Sequence, residues 1–181
     1  MLPRHYSTQG VILATRSYSE ADRLIVVFSR DYGKVTLIAK GVRKPKSKKG
    51  RNVEVFNVIK FSAARGKSLD ILIEVELVEA HNKIRKDLKK ASVAYYFMET
   101  MGRITQDEEK NPDLYDLLIE YLIKLEKSKS LKILRQQYVY DVLVLIGFWP
   151  QGKKMDNPDT VLENVLEKKL TTARVGKKML E

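Results

Sequence analysis

Near residue 80 the spacing of apolar residues changes from two to alternating threes and fours, which divides the chain into a half that reads as sheet and a half that reads as helix. Up to about Glu79 the apolar side chains alternate or form short β-branched runs, and this predicts five strands, at about 6–16, 24–30, 34–42, 53–62 and 68–79. Asp31-Tyr-Gly-Lys34 and Ala64-Arg-Gly-Lys67 place Gly33 and Gly66 where hairpin turns need positive φ. In the last strand Leu69, Ile71, Ile73, Val75 and Leu77 point one way, with Asp70, Glu74, Glu76 and Glu79 on or near the other face.

Strands two and four are apolar on both faces, for instance Phe56 and Val58 opposite Val55 and Ile59, which suggests a closed barrel covered partly by another element. Five short strands in about 80 residues fit a small barrel of the oligonucleotide-binding (OB) type. Beyond His81, the positions Ile84, Leu88, Ala91, Tyr95 and Met98 make one apolar stripe on a helix of about six turns. Asn111-Pro112-Asp113 reads as cap, first helical residue and dipole-favoured acid, followed by Leu114, Leu117, Leu118, Tyr121, Leu122 and Leu125. Ser130 is placed to cap a third helix carrying Leu134, Tyr138, Val142, Leu145 and Ile146, which Gly147 and Pro150 stop. Asn157-Pro158-Asp159 repeats the start signal for a fourth helix with Val161, Leu162, Val165, Leu166 and Leu170, and the basic tail after Thr171 is expected to fray. The reading is an α+β chain: a five-stranded OB-like barrel over 1–80 and a helical bundle over 81–181. With no Gly/Ser or Pro-rich spacer near residue 80, the two are expected to pack rigidly.

The chain carries 34 Lys plus Arg against 23 Asp plus Glu, a net charge of +11. Residues 1–80 hold 15 basic and 8 acidic side chains, so the excess is concentrated in the sheet half. Most of it lies in one run, Lys40-Gly-Val-Arg-Lys-Pro-Lys-Ser-Lys-Lys-Gly-Arg51, with seven basic residues among twelve and no acid. Like charges at this density repel one another, and a polyanion relieves the repulsion. Absence of cysteine rules out disulfides and thiolate metal sites and fits a reducing compartment. The N-terminus lacks an apolar signal region, and no window approaches the roughly 18 to 20 apolar residues of a membrane span. A cytoplasmic protein without a membrane association is expected.

Catalysis has little material. His5 and His81 are the two histidines, one near the start and one at the junction, and both read as structural. Gly66-Lys67-Ser68 imitates the end of a phosphate-binding loop, but Phe61 stands where its first glycine is needed, and a strand follows instead of a helix. Glu74, Glu76 and Glu79 suggest a magnesium site less than they suggest the wet face of a strand. No catalytic triad, dinucleotide turn or metal-ligand spacing is present, so neither enzyme chemistry nor a cofactor is expected.

Nucleic-acid binding has better material. Lys34 and Lys40 lie on or beside strand three, Arg43, Lys44, Lys46, Lys48, Lys49 and Arg51 extend from it, and Arg65 and Lys67 come from the next hairpin. Together they form a candidate track for a phosphate backbone, with Tyr18 and Tyr32, in or beside turns, as candidate base-stacking platforms. No base-reading helix is apparent, so backbone charge should govern binding.

The stretch Gln9-Gly-Val-Ile-Leu-Ala-Thr-Arg-Ser-Tyr-Ser-Glu-Ala-Asp-Arg-Leu24, then Asp31-Tyr-Gly-Lys34, then Ala39-Lys-Gly-Val-Arg-Lys-Pro-Lys-Ser47 resembles the RecO family of recombination mediators. The match runs on through Leu69-Asp70, Glu76-Leu-Val-Glu79 and Ala94-Tyr-Tyr96, and weakens toward Gly147-Phe-Trp-Pro150, similar to the family's Gly-Tyr-x-Pro. The resemblance implies an N-terminal OB fold joined to a helical domain and a non-enzymatic role in RecF-type recombinational repair. It implies binding of single- and double-stranded DNA and annealing of strands covered by single-strand-binding protein. It also implies action with RecR to help a RecA-type recombinase load, in the cytoplasm at the nucleoid. Many members carry a four-cysteine zinc cluster after the Gly-Tyr-x-Pro segment. This chain reads Gln151-Gly-Lys-Lys-Met-Asp-Asn-Pro158 there, so zinc is not expected. It is shorter than is usual for the family, and the last helices are expected to be missing or minimal.

Two other classes fit the residues. An RNA-binding OB protein would use the same barrel and loop, and competition between matched DNA and RNA strands separates it. A protein adaptor would bind its partner through the bundle, with the basic loop meeting an acidic tail, and would keep that partner after loop neutralisation.

Overall fold

The computed structural model describes residues 4–166. They form two compact units, one holding the chain through Ala80 together with Thr105–Pro112, the other His81–Ile104 and the chain from Asp113.

The first unit is a closed barrel of β1 (His5–Ser17), β2 (Arg23–Ser29), β3 (Gly33–Ala39), β4 (Val58–Ala64) and β5 (Asp70–Glu79), in the order β1-β2-β3-β5-β4. Every pairing is antiparallel except β3 with β5. Closure depends on β1, which pairs with β4 through its first half and with β2 through its second, with a bulge between Ile12 and Ala14. The interior is filled by Ile12, Ile25, Val27, Val35, Leu37, Ile59, Phe61 and Leu72. On the other side of the sheet the registered pair Val11 and Phe28 is also buried, so these strands are apolar on both faces. Gly33 turns the β2–β3 hairpin at φ +66°, where a Cβ would lie 2.2 Å from the Glu109 carbonyl oxygen. Segment Thr105–Pro112 returns to the barrel here, and the Glu108 N–H donates to the Lys34 carbonyl at 2.9 Å.

Three details of the sheet depart from the periodicity. The fourth strand begins at Val58, not near residue 53, because Val53 and Phe56 are buried as plugs of a loop whose chain turns at Phe56, φ 75°. In β5 the register shifts opposite Ser62/Ala63, so Leu72 enters the core at 4% exposure while Ile73 is 41% exposed. Gly66 is not in the positive-φ region. It is needed because a Cβ there would lie 1.9 Å from the Leu69 carbonyl oxygen.

The second unit contains α1 (Asn82–Arg85), α2 (Leu88–Ile104), α3 (Pro112–Lys127), α4 (Leu131–Leu145) and α5 (Pro158–Leu166). The expected six-turn helix is broken, because the Asp87 carboxylate caps a new start by accepting the N–H groups of Lys89 at 2.9 Å and Lys90 at 3.2 Å. Val93, Ala94, Phe97, Met98 and Met101 therefore form the buried face of α2, and Leu88 and Tyr95 of the expected stripe are exposed. In α3 the expected apolar residues largely hold, whereas in α4 Tyr138 and Val142 are buried together with Val139 and Leu143 while Leu145 is exposed. Phe97, Tyr121 and Tyr138 form an aromatic cluster with ring centres 4.1 to 5.9 Å apart. Ser130 occupies the N-cap of α4 but makes no side-chain cap bond, while Gly147 ends that helix region at φ +79°. His81 is buried and pairs with Glu126 through Nδ1 at 2.9 Å. Leu170 and the tail after Thr171 lie outside the described residues. Among the described residues, no helix is long and apolar enough to cross a membrane.

Candidate nucleic-acid interface

The basic run occupies the connection between β3 and β4, and its two ends are rooted in the barrel. Gly41, at φ +69°, turns the chain away from β3. Val42 and Val53 insert into the barrel core, 5% and 0% exposed, each contributing about 1.5–3 kcal/mol by burial. Between these plugs the chain runs over the surface, and its cations other than Lys49 are exposed.

Polar contacts tie the run down further. The turn after β1 supplies three acceptors: the Asp22 carboxylate takes the Gly41 N–H at 2.8 Å, the Ala21 carbonyl takes the Arg43 N–H at 3.0 Å, and the Ser19 carbonyl takes the Arg43 guanidinium at 2.7 Å. The Gly41 N–H holds the Asp22 carboxyl below its ordinary range, helped by the Ser19 side chain and by nearby Lys40 and Lys44. On the other side the run leans on β5, where Lys49 donates to the Ile73 carbonyl and the Asn52 amide to the Val75 carbonyl at 3.3 Å. The Asn57 amide donates to the Arg51 and Asn52 carbonyls at 3.1 and 2.9 Å, and Arg23 pairs with Glu54 at 2.9 Å.

These contacts sort the ten expected basic residues. Lys40, Arg43, Lys44, Lys46, Lys48 and Arg51 stand exposed on one connection, with Lys67 exposed at the β4–β5 turn. Three others serve the barrel itself. Lys34 donates to the Thr105 carbonyl at 2.7 Å and lies 3.4 Å from Asp107. Arg65 pairs with Glu108 at 3.2 Å and lies over the Tyr6 ring, and Lys49 is spent on Ile73. Their side chains are drawn to acceptors far away in sequence, which no local pattern announces.

The two tyrosines separate in the same way. Tyr18 is 54% exposed in the turn that holds Arg43, beside the cations. Tyr32 is half-buried with its ring 4.5 Å from that of Tyr6, packed against the barrel core. The Glu74 and Glu76 positions register opposite Ser62 and Lys60, which accounts for them as the outer face of the sheet. A groove of about 720 Å³ crosses that face, lined by Thr8, Lys49, Lys60 and Glu74 among others, and its mixed charge does not match a phosphate track.

Asp22 and Arg23 stand in the stretch that carries the family resemblance and read from sequence as a charged turn at a strand start; in the structure they fasten the loop together with Glu54, which the sequence does not single out. The available signal was an acid in the turn preceding a strand whose neighbour leads into a run of cations. Chemically the site offers point charges and guanidinium groups to anionic oxygens, held by a scaffold and flanked by one open aromatic face.

Comparison with known proteins agrees with this architecture. Residues 1–81 match the family model for the N-terminal part of recombination protein O, and residues 85–154 match that for its C-terminal part. Among curated relatives, the DNA repair protein RecO of Bifidobacterium longum is 36% identical over 149 residues, covering 81% of this chain and 62% of its own length. Proteins of the same name from Halalkalibacterium halodurans and Listeria monocytogenes are 25% and 28% identical over 146 residues, 81% of this chain. The chain spans 58% and 57% of the length of those two relatives.

Proposed function

Because the chain belongs to the RecO family of recombination proteins, we propose that it is a DNA-binding mediator of recombinational repair. It binds single and double strands through the β3–β4 connection and brings complementary strands together by neutralising phosphate charge. Base pairing then supplies the specificity, and no bond is made or broken by the protein. RecR and single-strand-binding protein are its proposed partners, a RecA-type recombinase its indirect beneficiary, and the cytoplasm at the nucleoid its place of action.

The observation that carries this reading is the docked basic connection. Six exposed cations, Lys40, Arg43, Lys44, Lys46, Lys48 and Arg51, are held against mutual repulsion by buried valines and a carboxylate. Structure maintained against that repulsion supports a polyanion as its use. Tyr18 adds an open ring on which a base of a single strand stacks.

A protein of net charge +11 binds many polyanions at low salt, so binding alone is a weak criterion. The experiment is the rate at which complementary DNA strands coated with single-strand-binding protein pair near physiological salt, with and without the protein. Acceleration that disappears on changing Arg43, Lys44, Lys46 and Lys48 to Gln supports the reading. Folded protein that does not accelerate pairing overturns it.

A further inference from the structure

The acid nearest the basic connection should, by charge alone, oppose a polyanion. Its position gives it a different task. Resting on the nucleic-acid reading above, we propose that Asp22 is a positioning residue for polyanion binding, its carboxylate fixing the shape in which the Lys40–Arg51 cations meet a phosphate backbone.

The bond from the Gly41 N–H to Asp22 Oδ1, 2.8 Å, sits at the hinge where the chain leaves β3. Gly41 is in the left-handed region at φ +69°, so the direction of everything after it is set at this residue. Two residues on, Arg43 is bound to the same turn through its backbone N–H and its guanidinium, on Ala21 and Ser19. The turn that bears these acceptors is itself closed by the Tyr18 N–H on the Asp22 carbonyl at 3.1 Å. Asp22 thus serves the turn with its backbone and the basic connection with its side chain.

Glu54 does the corresponding work at the other end. It pairs with Arg23, one residue beyond Asp22, and follows the Val53 plug. Two acids that flank a cationic surface are therefore both engaged in holding it. A connection held in shape loses less freedom when its cations engage phosphates together, which raises affinity without any contact to the ligand from the fastener. Lys40 and Lys44 are also neighbours of the carboxylate, which offsets their repulsion of one another while leaving both exposed.

The two roles differ in sign. If Asp22 acts only as a charge, Asp22→Ala and Asp22→Asn both tighten binding of a mixed-sequence single-stranded oligodeoxynucleotide. If it positions the loop, Asp22→Ala weakens binding by about tenfold, the scale of a lost hydrogen bond to a charged group. Asp22→Asn then stays within a few-fold of the parent, because its amide oxygen still accepts the Gly41 N–H. Hydrogen exchange adds a readout that charge does not move: amides of residues 41–51 exchange faster in Asp22→Ala, while those of β1–β3 are unchanged.

Equal or tighter binding by Asp22→Ala overturns the proposal, as does weakening with unchanged exchange in the loop. Glu54→Ala, at a side chain 45% exposed, carries the test should Asp22→Ala not fold. It removes an acid and frees Arg23, so tighter binding there overturns the proposal and weaker binding with faster loop exchange supports it. A parent protein that binds the oligonucleotide no better than the variant with Arg43, Lys44, Lys46 and Lys48 changed to Gln removes the underlying reading. That comparison is independent of any change at Asp22.

Discussion

The ammonium of Lys34 donates to the carbonyl of Thr105 at 2.7 Å, so a cation on β3 secures the segment that returns to the barrel from the helical unit's sequence. With its side chain 17% exposed, Lys34 is an internal fastener that sequence alone files with the surface cations. Lys34→Met should cost about 1–3 kcal/mol of stability in urea unfolding. It should leave the slope of log affinity against log salt unchanged on single-stranded DNA. Lys46→Gln with Lys48→Gln should do the reverse, flattening that slope by about 0.7 for each phosphate no longer neutralised and leaving the urea midpoint in place. A flattened slope for Lys34→Met would return it to the binding surface.

Legibility follows the range of the interaction involved. Asn111-Pro112-Asp113, Gly33 and Gly147 act within a turn of their own positions, and the helix start, hairpin and helix stop appear where the sequence puts them. Long-range effects are where the reading slips. Val53 is apolar in a stretch that reads as strand because it plugs a loop into the barrel core, and Leu72 replaces Ile73 inside because the register of β5 shifts against β4. The exposed cations of the basic connection were legible, since a dense cationic run has few places to be except solvent. The withdrawal of Lys34, Lys49 and Arg65 was not, because their acceptors Thr105, Ile73 and Glu108 lie 24 or more positions away.

Tyr18 and Tyr32 look equivalent in sequence, each in or beside a turn, and the fold gives them opposite work. Tyr18→Ala should weaken single-strand binding by about 1–3 kcal/mol, the worth of one stacked base, with little change in unfolding. Tyr32→Ala should instead lower stability, because it strips the ring that lies 4.5 Å from Tyr6 and covers the core. Fluorescence titration with an oligonucleotide, paired with urea unfolding of each variant, separates the two. Equal loss of affinity in both would show that Tyr18 has no particular place in binding.

In the helical unit Arg135 pairs with Asp159, with side chains 7% and 14% exposed, and its guanidinium lies 4.5 Å from the centre of the Tyr96 ring. The Tyr96 hydroxyl donates to the same carboxylate at 2.8 Å, so α2, α4 and α5 meet at one largely covered acid. Removing one partner strands the other charge away from water. Arg135→Met should cost about 3–5 kcal/mol, and adding Asp159→Asn should restore a large part of it. Thermal unfolding of the two single variants and the double variant measures this coupling. Additive losses would mean that the three groups do not act as a unit.

Four phenols, those of Tyr6, Tyr96, Tyr121 and Tyr138, are pushed above their ordinary ionisation range, with burial the largest cause in each. Hydrogen bonds to Asp70, Asp159 and Asp141 add to this for the first three, since a phenolate cannot face a carboxylate without repulsion. In the unfolded chain a tyrosine gives up its proton near pH 10. The folded state therefore binds more protons than the unfolded state above that pH, and stability must fall as pH rises further. The stabilisation is complete below about pH 10 and is lost as pH climbs through the raised folded values, without a matching effect on the acid side from these groups. Phenolate absorbance should show the phenols of Tyr6, Tyr96, Tyr121 and Tyr138 ionising together with unfolding and not before it. Tyr121→Phe tests the cause, because it keeps the ring against Phe97 and Tyr138 and removes one ionisable group. Its stability should decline less steeply with alkaline pH than that of the parent. An identical alkaline slope would place the proton linkage elsewhere.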